Sequence, residues 1–193
     1  MLTLEAARAL LQTHAKDAPW LRHCEAVARV AAALAAAVGA RRPVDGGFVE
    51  RAALLHDLGR CRSHDPVLHG VEGYRLLSGL GHPREARACL AHLLFAFDPA
   101  AHPDLGFRGD EHLPRSPEEA LVPLADFLVE GERPTTLDAR FASLRSRYAE
   151  DGEFVRRLGR SEAWTRELVR SLAPAFAESP ETIARQALPD GVG

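Results

Sequence analysis

Apolar residues recur along most of this chain at intervals of three and four, the spacing that lines one face of an α-helix. Runs of alternating polar and β-branched residues are absent, and Ala, Leu, Arg and Glu, all good helix formers, dominate. The pattern predicts a short amphipathic helix over Leu4 to Ala15. A long one then opens at Pro19-Trp20 and runs to about Val38, with Gly39 as its stop. Further helices are expected from Phe48 to Leu58, where Gly59 ends the run, from Pro66 to Leu80, and from Pro83 through Phe95. Asp98 to Arg115 is the one long irregular stretch, and its length favours a lid or substrate-contacting loop over plain flexibility. Ser116-Pro117-Glu118-Glu119 has the form of a capping box with proline in the first turn. It opens a helix that is apolar nearly all round. Beyond Gly131 the pattern predicts helices over Leu137 to Tyr148, Phe154 to Leu158 and Ser161 to Phe176, then a frayed tail from about Leu188.

Chemistry enters where polar side chains interrupt these apolar faces. His23 lies one turn before the stripe Val27, Val30, Leu34 and Val38, on the buried side. His56 shares a face with Val49 and Ala52, and Asp57 follows it. His69 falls in line with Gly73 and Leu76, and His92 with Glu85 and Ala88. Gly70 and Gly73 cost their helix roughly 1 kcal/mol each against alanine, which suggests close approach of a neighbouring helix or a ligand. Asp126 is the only charge between Ala120 and Val129, and a carboxylate buried there without a partner would cost several kcal/mol. Each histidine alone could be a core residue bonded to a backbone carbonyl. The polar loop Arg60 to Pro66 is either a solvated connector or an anion-binding lip, in which Arg60, Arg62 and His64 meet phosphate.

Composition narrows the partners. At 193 residues the chain forms one domain, or one with an appendage. We divide it into a metal-binding helical unit over 1–134 and C-terminal helices over 135–193 packed on that unit. A net charge of -3 argues against a stable nucleic-acid partner. Cys24, Cys61 and Cys89 form no C-x-x-C pair, so free thiols in a reducing, cytoplasmic setting are expected. The longest apolar run, Val30 to Ala40, is about half of what a bilayer-spanning helix needs, so no membrane association is expected. A homodimer is left open.

Two imidazoles and two carboxylates, from His23, His56, Asp57 and Asp126, would leave open positions on a six-coordinate divalent ion. A mixed nitrogen and oxygen set suits Fe, Mn, Co, Zn or Mg. Such an ion lowers the pKa of bound water and polarises a phosphoryl oxygen. His69 and His92 would complete a second site or bond a substrate phosphate.

In the order His, His-Asp, distant Asp, the chain resembles the HD-domain superfamily of metal-dependent phosphohydrolases. His56-Asp57-Leu58-Gly59-Arg60 is similar to its His-Asp-Ile-Gly-Lys form, with Arg60 where lysine is common. His69-Gly70 and His92 look like the extra histidines of its two-metal members, and Leu124 to Leu128 resembles its last-ligand helix. The resemblance implies an all-α HD-domain-like bundle with additional C-terminal helices. It also implies one or two divalent ions, a nucleotide or similar phosphorylated small molecule as substrate, and catalytic roles for Asp57, Arg60, His69 and His92. A looser likeness is to YqeK-type hydrolases of dinucleoside tetraphosphates, which carry iron. It rests on His69-Gly70 and on Leu124-Ala125-Asp126 through Glu130-Gly131-Glu132-Arg133. The chain departs from that subfamily at Leu58-Gly59-Arg60, where it has Tyr-Ala-Lys, and at Leu93, where it has Thr. Two other readings use the same residues: a di-iron oxygenase of this fold, which would consume oxygen without releasing phosphate, and a non-catalytic interaction module, which would be expected to lose ligands.

Overall fold

A computed structural model describes residues 2–189. Its regular elements are helices, apart from one two-residue ribbon: α1 Leu4–Ala15, α2 Trp20–Gly39, α3 Gly46–Leu55, α4 Leu68–Gly79, α5 Pro83–Ala91, α6 Pro117–Phe127, β1 Val129–Glu130, β2 Arg133–Pro134, α7 Leu137–Arg147, α8 Gly152–Leu172 and α9 Pro180–Ala187. The all-α architecture follows from the three-and-four periodicity. Side-chain caps start several helices: Thr3 accepts from the Ala6 amide, Asp45 from Phe48, Thr136 from Ala139 and Asp151 from Phe154.

α2 runs through the middle, packing on α3, α6 and α9. Its stripe Val27, Val30, Leu34 and Val38 is fully buried, worth roughly 1.5–3 kcal/mol per side chain. α3 packs on α5 and α6, and α4 on α5. α7 lies against α6, and α8 against the 3-10 turn Leu94–Ala96 that follows α5. The C-terminal helices are therefore joined to the rest through shared contacts. No helix among the described residues is long and apolar enough to cross a membrane.

Several expected boundaries move. α3 ends at Leu55, so His56 and Asp57 lie in the bend before a 3-10 turn, Leu58–Cys61, and not inside a helix reaching Leu58. Close packing explains the bend: Gly59 sits against the backbone of His69 and Gly73, where a Cβ would overlap the His69 carbonyl oxygen. α5 likewise ends at Ala91, and Leu94 takes a left-handed backbone conformation, φ 47°, that turns Phe95 off the helix face. Phe154 to Phe176 was expected as two helices. It is instead the single α8 over Gly152–Leu172, because an isolated glycine such as Gly159 costs only about 1 kcal/mol and the buried face runs on through it.

Ser116 caps α6, but Glu119 completes no capping box; its carboxylate accepts from the Arg115 amide and pairs with Arg87. α9 and the β1–β2 ribbon were not anticipated. Leu188, expected to begin a frayed tail, is buried at the end of α9; residues 190–193 lie outside the described residues. The stretch from Asp98 to Arg115 folds into three 3-10 turns held by Arg87, which donates to the carbonyls of Glu111 and Leu113.

Candidate metal centre

Six side chains predicted from the sequence converge at helix ends. His23 comes from the first turn of α2, His56 and Asp57 from the end of α3, and His69 from the start of α4. His92 caps α5, and Asp126 comes from the last turn of α6. His56, Asp57, His69 and His92 are all at least nine-tenths buried. The glycines make the convergence sterically feasible. Gly59 lets the His-Asp bend touch α4, and Gly70 and Gly73 let α4 press against Leu93 and Cys89 of the α5 segment. The close neighbour anticipated at Gly70 and Gly73 is thus protein.

Every one of the four histidines hydrogen-bonds a backbone carbonyl through Nδ1. His23 reaches Gly131 at 2.8 Å, His56 reaches Ala53 at 2.7 Å, His69 reaches Asp65 at 2.7 Å, and His92 reaches Cys89. A carbonyl oxygen only accepts, so Nδ1 carries a hydrogen in each ring and Nε2 is the atom left to face the carboxylates, as a lone pair when the ring is neutral and as a donor when it is protonated. The β1–β2 ribbon finds its purpose here. Gly131, at φ 62°, turns its carbonyl onto His23. Cys89 adds a second restraint, its thiol donating to the His56 carbonyl at 2.9 Å.

The Nε2 atoms face the carboxylates in two groups that share Asp57. On one side, Asp57 Oδ2 is 4.0 Å from His23 Nε2 and 3.7 Å from His56 Nε2. Asp126 Oδ1 is 3.0 Å and 3.7 Å from the same two atoms. On the other, Asp57 Oδ1 is 2.9 Å from His69 Nε2 and 3.8 Å from His92 Nε2, and those two nitrogens are 3.1 Å apart. Two neutral Nε2 lone pairs cannot hydrogen-bond to each other. Lone pairs this close repel unless a proton or a cation stands among them.

These separations fit a cation. Ligand atoms roughly 2.0–2.2 Å from an ion stand about 2.8–3.6 Å apart between right and tetrahedral angles, a range that the pairs at 2.9, 3.0 and 3.1 Å meet and those at 3.7–4.0 Å approach. His56 Nε2 is buried with nothing nearer to bond than carboxylate oxygens at 3.7 Å, a costly arrangement that a bound ion removes. Burial alone would raise the Asp57 pKa, yet His56, His69 and Arg60 hold it well below the ordinary range, and His23 and His56 do the same for Asp126. Both carboxylates are therefore ionised. Burial, reinforced by His56 and His69, pulls His92 down to about 3, so His92 is neutral and free to ligate. Burial also lowers His56, but Asp57 and Asp126 outweigh it and the net shift is upward. Burial raises the Cys24 and Cys89 thiols, which keeps both protonated and leaves a nitrogen and oxygen donor set.

Beside the ligands lies a cavity of about 90 Å³ that Asp57, His69, His92 and Asp126 share with Arg60. The Arg60 guanidinium Nε donates to Asp57 Oδ2, so this arginine serves a ligand as well as facing the cavity. Arg62 and His64, also expected at phosphate, are not among the lining residues. Both are exposed, and Arg62 pairs outward with Glu72 at 3.3 Å. The short 3-10 turn after Asp57 carries Arg60 inward and Arg62 out. Nor does the 98–115 stretch cover this cavity; His102 stacks on Phe97, and His112 is buried beside the same ring.

The opposite wall was missed by sequence reasoning. It comes from α7 and α8, where only packing was expected, and includes Arg140, Arg147 and Tyr148. The available signal was that Arg140, Leu144 and Arg147, at i, i+4 and i+7, share a helix face beside the apolar stripe.

Comparison with known proteins agrees with the geometry. A protein of Methanocaldococcus jannaschii described as uncharacterized is 31% identical over 141 residues, which cover 72% of this chain and 82% of the relative. No solved structure matches. The HD domain family matches residues 20–145, a span that starts at α2, ends inside α7 and contains all six converging side chains. The chain belongs to the HD-domain family, which indicates the metal-dependent phosphohydrolase superfamily.

Proposed function

We propose that the protein is a metal-dependent phosphohydrolase that cleaves a phosphoester or phosphoanhydride bond of a nucleotide or a related phosphorylated small molecule. The observation that carries this reading is the set of four Nε2 atoms held toward two buried carboxylates, with a cavity beside them. His23, His56, Asp57 and Asp126 would hold one divalent ion. Asp57 would share its other oxygen with a second, completed by His69 and His92. A bound divalent ion lowers the pKa of water and polarises a phosphoryl oxygen.

The protein's own groups set up the rest. Four carbonyls hold the rings with Nε2 toward the carboxylates, so no histidine must turn to ligate. Arg60 compensates Asp57 and presents its charge to the anion entering the cavity. Buried Leu93 and Phe127 form part of the lining and limit water around the reacting group. A cavity of this size admits a phosphoryl group and waters, so the remainder of a nucleotide, or of a dinucleoside polyphosphate, would extend toward the mouth.

The test is elemental analysis of the purified protein, followed by a phosphate-release screen. The panel comprises nucleoside monophosphates, nucleoside triphosphates and dinucleoside polyphosphates, with Fe, Mn, Co, Zn or Mg supplied in turn. The expected result is one or two ions per chain and turnover of at least one class. Protein that binds none of these ions, or that consumes oxygen and releases no phosphate, would refute the reading.

A further inference from the structure

The α7–α8 side of the cavity carries charge that the putting together of the fold does not consume. The Arg140 side chain is only 12% exposed, and its Nε is buried without a hydrogen-bond partner. Its nearest carboxylate oxygen, Glu130 Oε1, is 3.6 Å from Nη1. Arg147 reaches the same oxygen at 3.5 Å, and the Ser143 hydroxyl already donates to it at 2.6 Å. One carboxylate oxygen is thus shared by two guanidinium groups and a hydroxyl, with one long hydrogen bond from Arg147 and none from Arg140. Arg140 lies deep, while Arg147, 54% exposed, stands at the mouth. Next to them the wall turns apolar. The Tyr148 and Phe154 rings pack 4.6 Å apart, and Leu144 and Leu158 extend the same surface.

We infer that α7 and α8 form the substrate-selecting wall of this centre. Arg140 and Arg147 take oxygens of a phosphate group, and the Tyr148–Phe154 surface takes an aromatic or apolar body joined to it. This inference rests on the phosphohydrolase reading and narrows its substrates to phosphate compounds with such a body. Guanidinium forks suit the several oxygens of a phosphate, and two guanidinium groups that share one carboxylate oxygen keep donors free for an anion. The two rings, tilted 54° to one another, offer an apolar corner that a bare phosphate ion would leave unused.

The test uses the full-length, metal-loaded protein and two phosphonates whose carbon–phosphorus bond resists hydrolysis, phenylphosphonate and methylphosphonate, titrated calorimetrically. Metal content is measured in every sample. Phenylphosphonate should bind about tenfold or more tightly, as expected for burying a ring. Tyr148→Ser should bring the two affinities together while leaving that for methylphosphonate unchanged. Arg140→Gln and Arg147→Gln should each weaken both ligands by roughly tenfold, with metal content unaltered. Arg147 is exposed, so its variant keeps the test valid should Arg140→Gln fold poorly. Metal-loaded protein that binds both phosphonates equally, or neither, would overturn the wall and leave the metal centre standing, as would unchanged affinities in Arg147→Gln and Tyr148→Ser. Protein that takes up no metal would overturn the phosphohydrolase reading itself.

Discussion

The two walls of the cavity are built by different means. On the ligand side, four histidines are each tied to a backbone carbonyl, and glycines bring the backbones of the Leu58–Cys61 turn and α4 into contact. On the α7–α8 side, two arginines reach for one shared carboxylate through long, partly exposed side chains. Backbone anchoring leaves little freedom, which suits ligands that must meet an ion to within a few tenths of an ångström. Side-chain anchoring is adjustable, which suits recognition of a variable organic group. Perturbing the first wall should therefore cost metal and activity together, while perturbing the second should change affinity alone.

The largest effect is expected from Asp57→Ala, which removes the one carboxylate common to both ligand groups. Bound metal and phosphate release should fall below detection with helical circular dichroism largely retained. Full activity on every substrate of the wild type would refute the ligand assignment. Acidification comes next. Histidines must be neutral to ligate, and Asp57 and Asp126 hold the proton on His56 above the ordinary imidazole value, so metal should leave as His56 takes up its proton on acidification. In metal-free protein the raised pKa of His56 gives stability that is present below its unfolded value and lost as pH rises through its folded one. The lowered values of Asp57 and Asp126 act oppositely: their contribution is present above the ordinary carboxylate range and lost on further acidification. The gap in melting temperature between loaded and metal-free protein should thus close between roughly pH 7 and 5, before carboxylate protonation destabilises both. A gap that persists at pH 5 would argue against histidine ligation.

Gly59→Ala drives a methyl group into the His69 carbonyl, and should lower stability by about 2–3 kcal/mol in denaturant titration while weakening metal binding. A neutral result would show that the contact between the turn and α4 is loose. Gly131→Ala tests the hairpin carbonyl on His23. The left-handed backbone should cost roughly 1 kcal/mol, and disturbing the hydrogen bond should reduce metal affinity about tenfold. Arg62→Ala should do almost nothing. Its ion pair with Glu72 is exposed, worth about 0–1 kcal/mol, and it stands away from the cavity. A rise in KM for this variant would restore Arg62 to the site.

Legibility along the chain follows the range of the interactions involved. α1 was readable from end to end, because its amphipathic stripe is complete within twelve consecutive residues. The six converging side chains were readable too, since a histidine or a lone aspartate on an apolar face stands out wherever its partners are. The exits of α3 and α5 were not. Their ends depend on Gly59 meeting His69 and on Leu94 adopting a left-handed turn, contacts between segments distant from the periodic pattern. The β1–β2 ribbon escaped notice because two residues per strand leave no alternation to detect.

Periodicity and residue type by themselves determined the helical class and the six side chains available for a metal. Both depend on near neighbours in the chain and on the cost of burying a polar group. Only tertiary structure decided that Asp57 faces two histidine pairs, that Arg60 turns inward while Arg62 turns out, and that Arg140 and Arg147 line the cavity. Those outcomes depend on where separate helices cross, and the direction a side chain takes after a bend is set by the neighbours it meets there.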